Sequence, residues 1–526
     1  MIRSLLLLPL LASFAACFHA PPIAPAHDHV TTLHGETRND PYDWLRNRES
    51  PETLEYLRAE NRYFERHFSP LRETRSRILA EMKSRLDEDE STAPARDGPY
   101  LYYSRYVPGA DFQLICRKPA AGGPEEILLD PNERARGKAY YQNQGWATSD
   151  DHRYLAFAED FVGRRFFTIR FKDTRTGQLL PDAISDVTSN FVWENDGKTL
   201  LYVKQDPGTL RWDRVFRHVL GQPRDQELYR EADETFEVRL TKALNRKAIF
   251  LGIESTLTRD VRILDPSKPG SRFAPFAPRV KGHEYWLAHG GDRYFIATND
   301  HARNFRLMEA PLGRTERKDW KEVVAHRKDA YIDAFLVLRD QVALVVLKDG
   351  LPRIELRDRA NMGEPRLVRF DDPAYSASFG DNLEYETRAL RLQYESLRIP
   401  ETAYDLDLAT GARTLVLRKK VLGGFDPERY VSRRLFVKAR DGARVPVSLI
   451  HRKDLEKDGK NPLLIDGYGA YGSSSNPEFS SSLVSLYDRG FVYAIAHVRG
   501  GSELGRPWYE DGRQKRKMNS FTDLID

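Results

Sequence analysis

Cysteine is almost missing from this sequence: two among 526 residues, Cys17 and Cys116. If the first is removed with a leader, or is acylated, the chain has no pair of free thiols to bridge, which excludes a disulfide framework. Charge of one dominant sign is missing too. Lys+Arg 82 against Asp+Glu 78 leaves +4, which argues against a broad basic face and hence against nucleic acid as a partner. The apolar run at residues 5–11 falls well short of the ~20 residues that span a bilayer. There is no Gly-x-x-x-x-Gly-Lys phosphate loop and no dinucleotide fingerprint. His283-Glu284 lacks the second histidine of a His-Glu-x-x-His zinc helix. No metal and no cofactor are expected. The acidic run at 87–90 and the basic run at 513–517 have no apolar pattern around them and read as solvated surface.

What is present is an ordinary soluble composition, 40% hydrophobic and 30% charged, in a chain long enough for two or three cores. Arg3, an apolar stretch and small residues up to Ala16 follow the order of an export signal. Ser13-Phe14-Ala15-Ala16 before Cys17 is similar to a bacterial lipobox, with phenylalanine where leucine is usual. Cys17 is therefore the expected lipidation site and membrane tether. The expected location is the bacterial envelope, periplasmic or lipid-anchored. The alternatives are ordinary cleavage after Ala26, or a cytoplasmic product from a later start. Ser50-Pro51 joins a capping residue to proline at the first helical position. Leu54, Leu57, Phe64 and Phe68 then recur at helical steps, and Ile78, Met82 and Leu86 mark a second helix.

From about Gly98 the pattern becomes short strands separated by Gly, Asp and Asn turns. Cys116, in the run FQLIC, reads as a small buried hydrophobe. Two passages repeat. Trp146-Ala-Thr-Ser-Asp-Asp and Trp193-Glu-Asn-Asp-Gly-Lys place their tryptophans 47 residues apart, near the ~40–50-residue period of propeller blades. The turns at 173–177 (DTRTG) and 407–411 (DLATG) lie 234 residues apart, about five such periods.

After about Asp426 the pattern changes again. Residues 431–439 and 445–451 flank Asp441-Gly442, a hairpin signal. Leu463-Leu464-Ile465 breaks into a glycine- and tyrosine-rich turn (461–472, NPLLIDGYGAYG), and 491–498 ends at Arg499-Gly500-Gly501. Such runs read as buried strands of an α/β sheet, with 481–489 as a crossover helix stopped by Gly490. Tyr468 then stands at the carboxyl end of a strand, where α/β sheets place chemistry. A phenol aimed at a developing oxyanion can contribute about 3 kcal/mol to the barrier. Equally, Tyr468 and Tyr471 can be half-buried aromatics of a structural loop.

That stretch, with RGGSELGRPWYEDGRQKRKMNSFTDLID after it and DPYDWLRNRESPETLEYLRAEN (40–61) upstream, resembles the prolyl oligopeptidase family of serine peptidases, in its oligopeptidase B branch. The resemblance covers nearly everything after the leader. It implies N-terminal helices, an all-β seven-bladed propeller, and the incomplete start of an α/β-hydrolase domain. The expected boundaries are 1–26 for leader and tether, 27–90 for the helical segment, 91–425 for the propeller and 426–526 for the hydrolase part.

By the same resemblance, Tyr468 matches the tyrosine that donates to the oxyanion, while Asp466 replaces the first tyrosine of that turn. The acidic pair that reads the second substrate residue falls on Asn476 and Glu478. Half its charge is missing, so weak selection for paired basic residues is expected. The family's nucleophile sits in a Gly-x-Ser-x-Gly elbow after the next strand, and no such motif occurs here. In Gly500-Gly501-Ser502 the next glycine comes at 505 rather than 504, one βα unit too early. The serine, aspartate and histidine of the triad are thus expected beyond Asp526, and the chain itself is expected to be inactive. The implied activity is serine-type endopeptidase action on short oligopeptides after Arg or Lys, with the propeller gating access. A non-catalytic propeller binding protein is the alternative, while 499–510 disfavours an esterase or aminopeptidase relative.

Overall fold

A computed structural model describes residues 20–526; Cys17 and the leader lie outside them. Two compact units meet between Ser84 and Arg85. The first holds the hairpin Val30–Leu33 with Glu36–Asn39 and the helices Pro51–His67 and Arg72–Ser84. Pro51 opens the first helix as expected, but the Ser50 hydroxyl makes no capping bond. Leu57 and Phe64 remain largely exposed, and Thr53 is the buried residue of that helix. The second helix ends at Ser84, so Leu86 is not on its face.

The second unit contains the propeller. Five separate four-stranded sheets and one seven-stranded sheet follow one another between Ala95 and Arg418. The seven-stranded sheet is two blades that share a strand. Leu179–Trp193 pairs through its first half with Phe167–Asp173 and through its second half with Thr199–Gln205, changing partner at Val187. Asp186 has φ 57, and register shifts flank it on both sides. Counting the shared strand once for each side gives seven blades. The middle strands are the driest: Tyr154–Asp160, Ile249–Ser255 and Gln341–Lys348 are buried almost throughout. Continuous apolar strands covered on both faces supply the cores between neighbouring blades.

The repeats have a structural cause. Trp146 and Trp193 occupy the first strands of successive blades, and the Trp193 indole donates to the Ala147 carbonyl at 3.0 Å. Both five-residue turns join third to fourth strands, in the second and seventh blades. Each puts its glycine in the left-handed region (φ 73 and 77), and each aspartate accepts backbone N–H bonds from its own turn. Cys116 is fully buried in Leu114–Pro119, and burial pushes its thiol up to about 11.

The hydrolase part forms one mixed sheet in the order Tyr430–Lys438, Arg444–Arg452, Val492–Ala496, Leu463–Asp466. The first three strands run antiparallel and the last pair is parallel. Leu463–Asp466 departs from the expectation of a buried strand: all four residues are exposed. It is an edge strand, paired on one side only, which explains the exposure of its apolar run. The expected crossover helix shrinks to a single turn, Val484–Tyr487, before Gly490 at φ 83.

Candidate active site

Tyr468 leaves the carboxyl end of the edge strand in a turn that only glycines permit. Gly469 has φ 62, and a Cβ there would lie 2.6 Å from Val498 and 2.8 Å from the Arg499 carbonyl oxygen. A Cβ on Gly500 would lie 1.9 Å from the Gly469 carbonyl, and one on Gly512 2.1 Å from the Gly500 nitrogen. Three stretches of backbone distant in sequence therefore touch directly, an approach any side chain would block. The Gly469 carbonyl accepts bonds from the Ser520 hydroxyl at 3.2 Å and from the Lys517 ammonium. This corrects the reading of 513–517 as solvated surface: its last lysine braces the tyrosine turn. Tyr468 is 57% exposed and Tyr471 85%, more than a packing role for either ring requires. Asp466 turns toward the Tyr493 phenol, which burial and that carboxylate push up to about 12.

Arg499 fastens the next segment. Its guanidinium meets both oxygens of the fully buried Asp523 carboxylate, and its backbone N–H donates to the same carboxylate at 2.9 Å. Asp441 holds the far side of the guanidinium at 2.6 Å. The two carboxylates hold the guanidinium above its ordinary range.

Asn476 and Glu478 lie on the loop after the tyrosine turn. Both side chains are exposed and face each other, the Asn476 amide donating to the Glu478 carboxylate at 3.4 Å. They share a cavity of about 530 Å³ with the sixth and seventh blades, within the size range of small-ligand sites. Its charged lining residues are Asp333, Glu395 and Glu478; no lysine, arginine or histidine lines it among the described residues. Burial, with Glu478 nearby, pushes the Glu395 carboxyl up to about 7. Burial also raises Asp333. Three carboxyl groups with no cationic residue in the lining suit a cationic guest, whose charge would favour their ionised form. Sequence reasoning missed Asp333 and Glu395. In Ala389–Ser396, Arg391, Gln393 and Glu395 alternate with buried residues, a pattern that any blade strand shows.

Two further groups join the hydrolase part to the propeller. Arg506 pairs with Glu284, and the Asn304 side-chain amide oxygen (Oδ1) accepts the Arg506 backbone N–H at 2.9 Å. Arg434 reaches the Asp349 carbonyl at 2.7 Å. Ser502, the serine of the misplaced glycine motif, is 5% exposed beside Gly472. It has no room to act as a nucleophile.

Residues 21–419 match the family model described as "Prolyl oligopeptidase, N-terminal beta-propeller domain", and 477–526 match "Prolyl oligopeptidase family". Dipeptidyl aminopeptidase BI of Pseudoxanthomonas mexicana is 40% identical over 98% of the chain and 74% of its own length. Protease 2 of Moraxella lacunata is 33% identical over 96% of the chain and 74% of its own. Among solved structures, oligopeptidase B from Leishmania major superposes with a TM-score of 0.91 at 33% identity, covering 96% of this chain and 75% of that one.

Proposed function

Since this chain belongs to the prolyl oligopeptidase family of serine peptidases, we propose that its parent enzyme cleaves short peptides after arginine or lysine. The observation that carries the basic specificity is the cavity beside the tyrosine loop, with three carboxylates and no cation in its lining. In this reading Tyr468 donates to the oxyanion, and Glu478, oriented by Asn476, receives the second substrate residue. In the same reading a serine attacks the carbonyl, a histidine shuttles the proton and an aspartate orients the imidazole. Access runs past the propeller, so oligopeptides are the partners and folded proteins are excluded. Export of the enzyme, with Cys17 as a lipid tether, belongs to the same proposal.

A second reading is release of dipeptides from a free amino terminus. The same carboxylates suit an α-ammonium group, and the Pseudoxanthomonas relative carries the name dipeptidyl aminopeptidase. One panel separates the two. The chain, extended with the codons that follow Asp526, is labelled with a fluorophosphonate and assayed on Ala-Arg and Ala-Ala substrates, each with a free and an acetylated amino terminus. Cleavage of Ala-Arg in both forms supports the endopeptidase. Loss of cleavage on acetylation supports dipeptide release. Absence of labelling, or equal rates on Ala-Ala, overturns the proposal.

A further inference from the structure

The loop that bears Asn476 and Glu478 is gripped at both ends by carboxylates. At its start, Glu503 accepts the Ser475 N–H at 2.8 Å; at its end, Glu395 accepts the Phe479 N–H at 2.9 Å. Glu503 belongs to the turn after Val492–Ala496, whereas Glu395 belongs to the seventh propeller blade. We propose that these two residues are positioning residues, forming a clamp that sets the second substrate subsite and completes it only where the propeller and hydrolase parts dock. This rests on the assignment of Asn476 and Glu478 as that subsite.

The surroundings show that Glu503 is held in place for this contact. The residue is 4% exposed, and its second oxygen has no hydrogen-bond partner among the described residues. Its carboxylate folds back over Gly501, where an added Cβ would lie 2.1 Å from the nearer oxygen; the glycine is what lets the carboxylate point at Ser475. Arg434 supplies the compensating positive charge, and neutral His497 stands 3.9 Å away, donating or accepting through its other nitrogen at Ser448. Around Glu395 the charged neighbours are Glu478, Glu401 and Lys419. Burial pushes both clamp carboxyls up to about 7, so each changes charge near neutral pH. An ionised carboxylate makes the stronger bond to an N–H, so the grip tightens from pH 6 to pH 8.

Two measurements test the clamp. In the 526-residue chain, hydrogen exchange reads the Ser475 and Phe479 amides directly. Glu503→Ala is expected to speed exchange at Ser475 by at least tenfold, and Glu395→Ala to do so at Phe479. Glu503→Gln, which keeps an acceptor oxygen, restores protection and shows that the alanine effect is not misfolding. In the extended enzyme, Glu503→Ala raises KM for Arg-Arg substrates severalfold more than KM for Ala-Arg. Unchanged amide exchange in both alanine variants overturns the clamp. Faster exchange with unchanged Arg-Arg selectivity overturns its role in the subsite. Failure of the wild-type enzyme to prefer arginine is a separate result, and counts against the proposed function rather than the clamp.

Discussion

Replacing Glu503 by glutamine is expected to stabilise the protein, and only above a certain pH. The wild-type carboxyl titrates near 4.5 when unfolded and at about 7 in the fold, chiefly because burial disfavours its charge. A raised carboxyl favours folding fully below pH 4.5, and that contribution is lost as pH climbs through 7. At pH 8 the ionised group therefore costs about 3 kcal/mol relative to its protonated form, by 1.36 kcal/mol for each pH unit between the two values. Glutamine never ionises, keeps an oxygen for the Ser475 N–H, and carries an amide that can face His497. The other charged groups at the site do not mask this. Burial and Arg434 pull His497 down to about 3, so it stays neutral from pH 5 to 8, and Arg434 stays charged across that range. The assay is hydrogen exchange of the strand Val492–Ala496, corrected for the intrinsic pH dependence. Glu503→Gln and wild type should exchange alike at pH 4.5, with the variant roughly 100-fold slower at pH 8, as 3 kcal/mol requires. Equal exchange at pH 8, or a variant that exchanges faster at both pH values, would refute the reasoning.

Three further outcomes follow from the geometry. In the extended enzyme Tyr468→Phe should lower kcat by about 100-fold with KM nearly constant, as loss of one oxyanion donor does; an effect confined to KM would count against the donor role. Asp523→Ala leaves Arg499 buried with only the partly exposed Asp441, and should cost about 3 kcal/mol, read as a lowered Tm by calorimetry. An unchanged Tm would show that the pair contributes nothing net. Asn476→Asp adds the second negative charge beside Glu478 and should lower KM for Arg-Arg substrates several-fold at low salt, fading at high salt as screening grows; a salt-independent change would point to altered packing instead.

Much of the fold was legible because its signals are local and periodic. The Trp146 and Trp193 repeats and the DTRTG and DLATG turns mark equivalent places in different blades, and the expected antiparallel hairpin across Asp441-Gly442 forms, pairing Tyr430–Lys438 with Arg444–Arg452. Leu463-Ile465 misled because an apolar run reports the need for cover, not whether a neighbouring strand supplies it. Tyr468 could be picked out from glycine spacing and resemblance, but its support could not. Lys517 and Ser520 reach Gly469 from more than forty residues away. Glu395 lies 84 residues in sequence from Phe479, the loop residue it holds. Contacts made by tertiary docking leave no periodic trace, and a single glutamate in an alternating strand looks like any other.

The strand shared by the second and third blades changes how this propeller can come apart. The strands from Gln142 to Arg230 belong to one hydrogen-bonded sheet, so those two blades melt and exchange as one cooperative block. Elsewhere neighbouring blades are separate sheets joined by side chains and a few loop hydrogen bonds such as Ile332 N–H to the Asn304 carbonyl, and those are the seams at which a propeller of this kind can be cut, opened or recombined. A designer who excises the second blade along its sequence limits destroys the third as well; the smallest exchangeable module on that side is the pair.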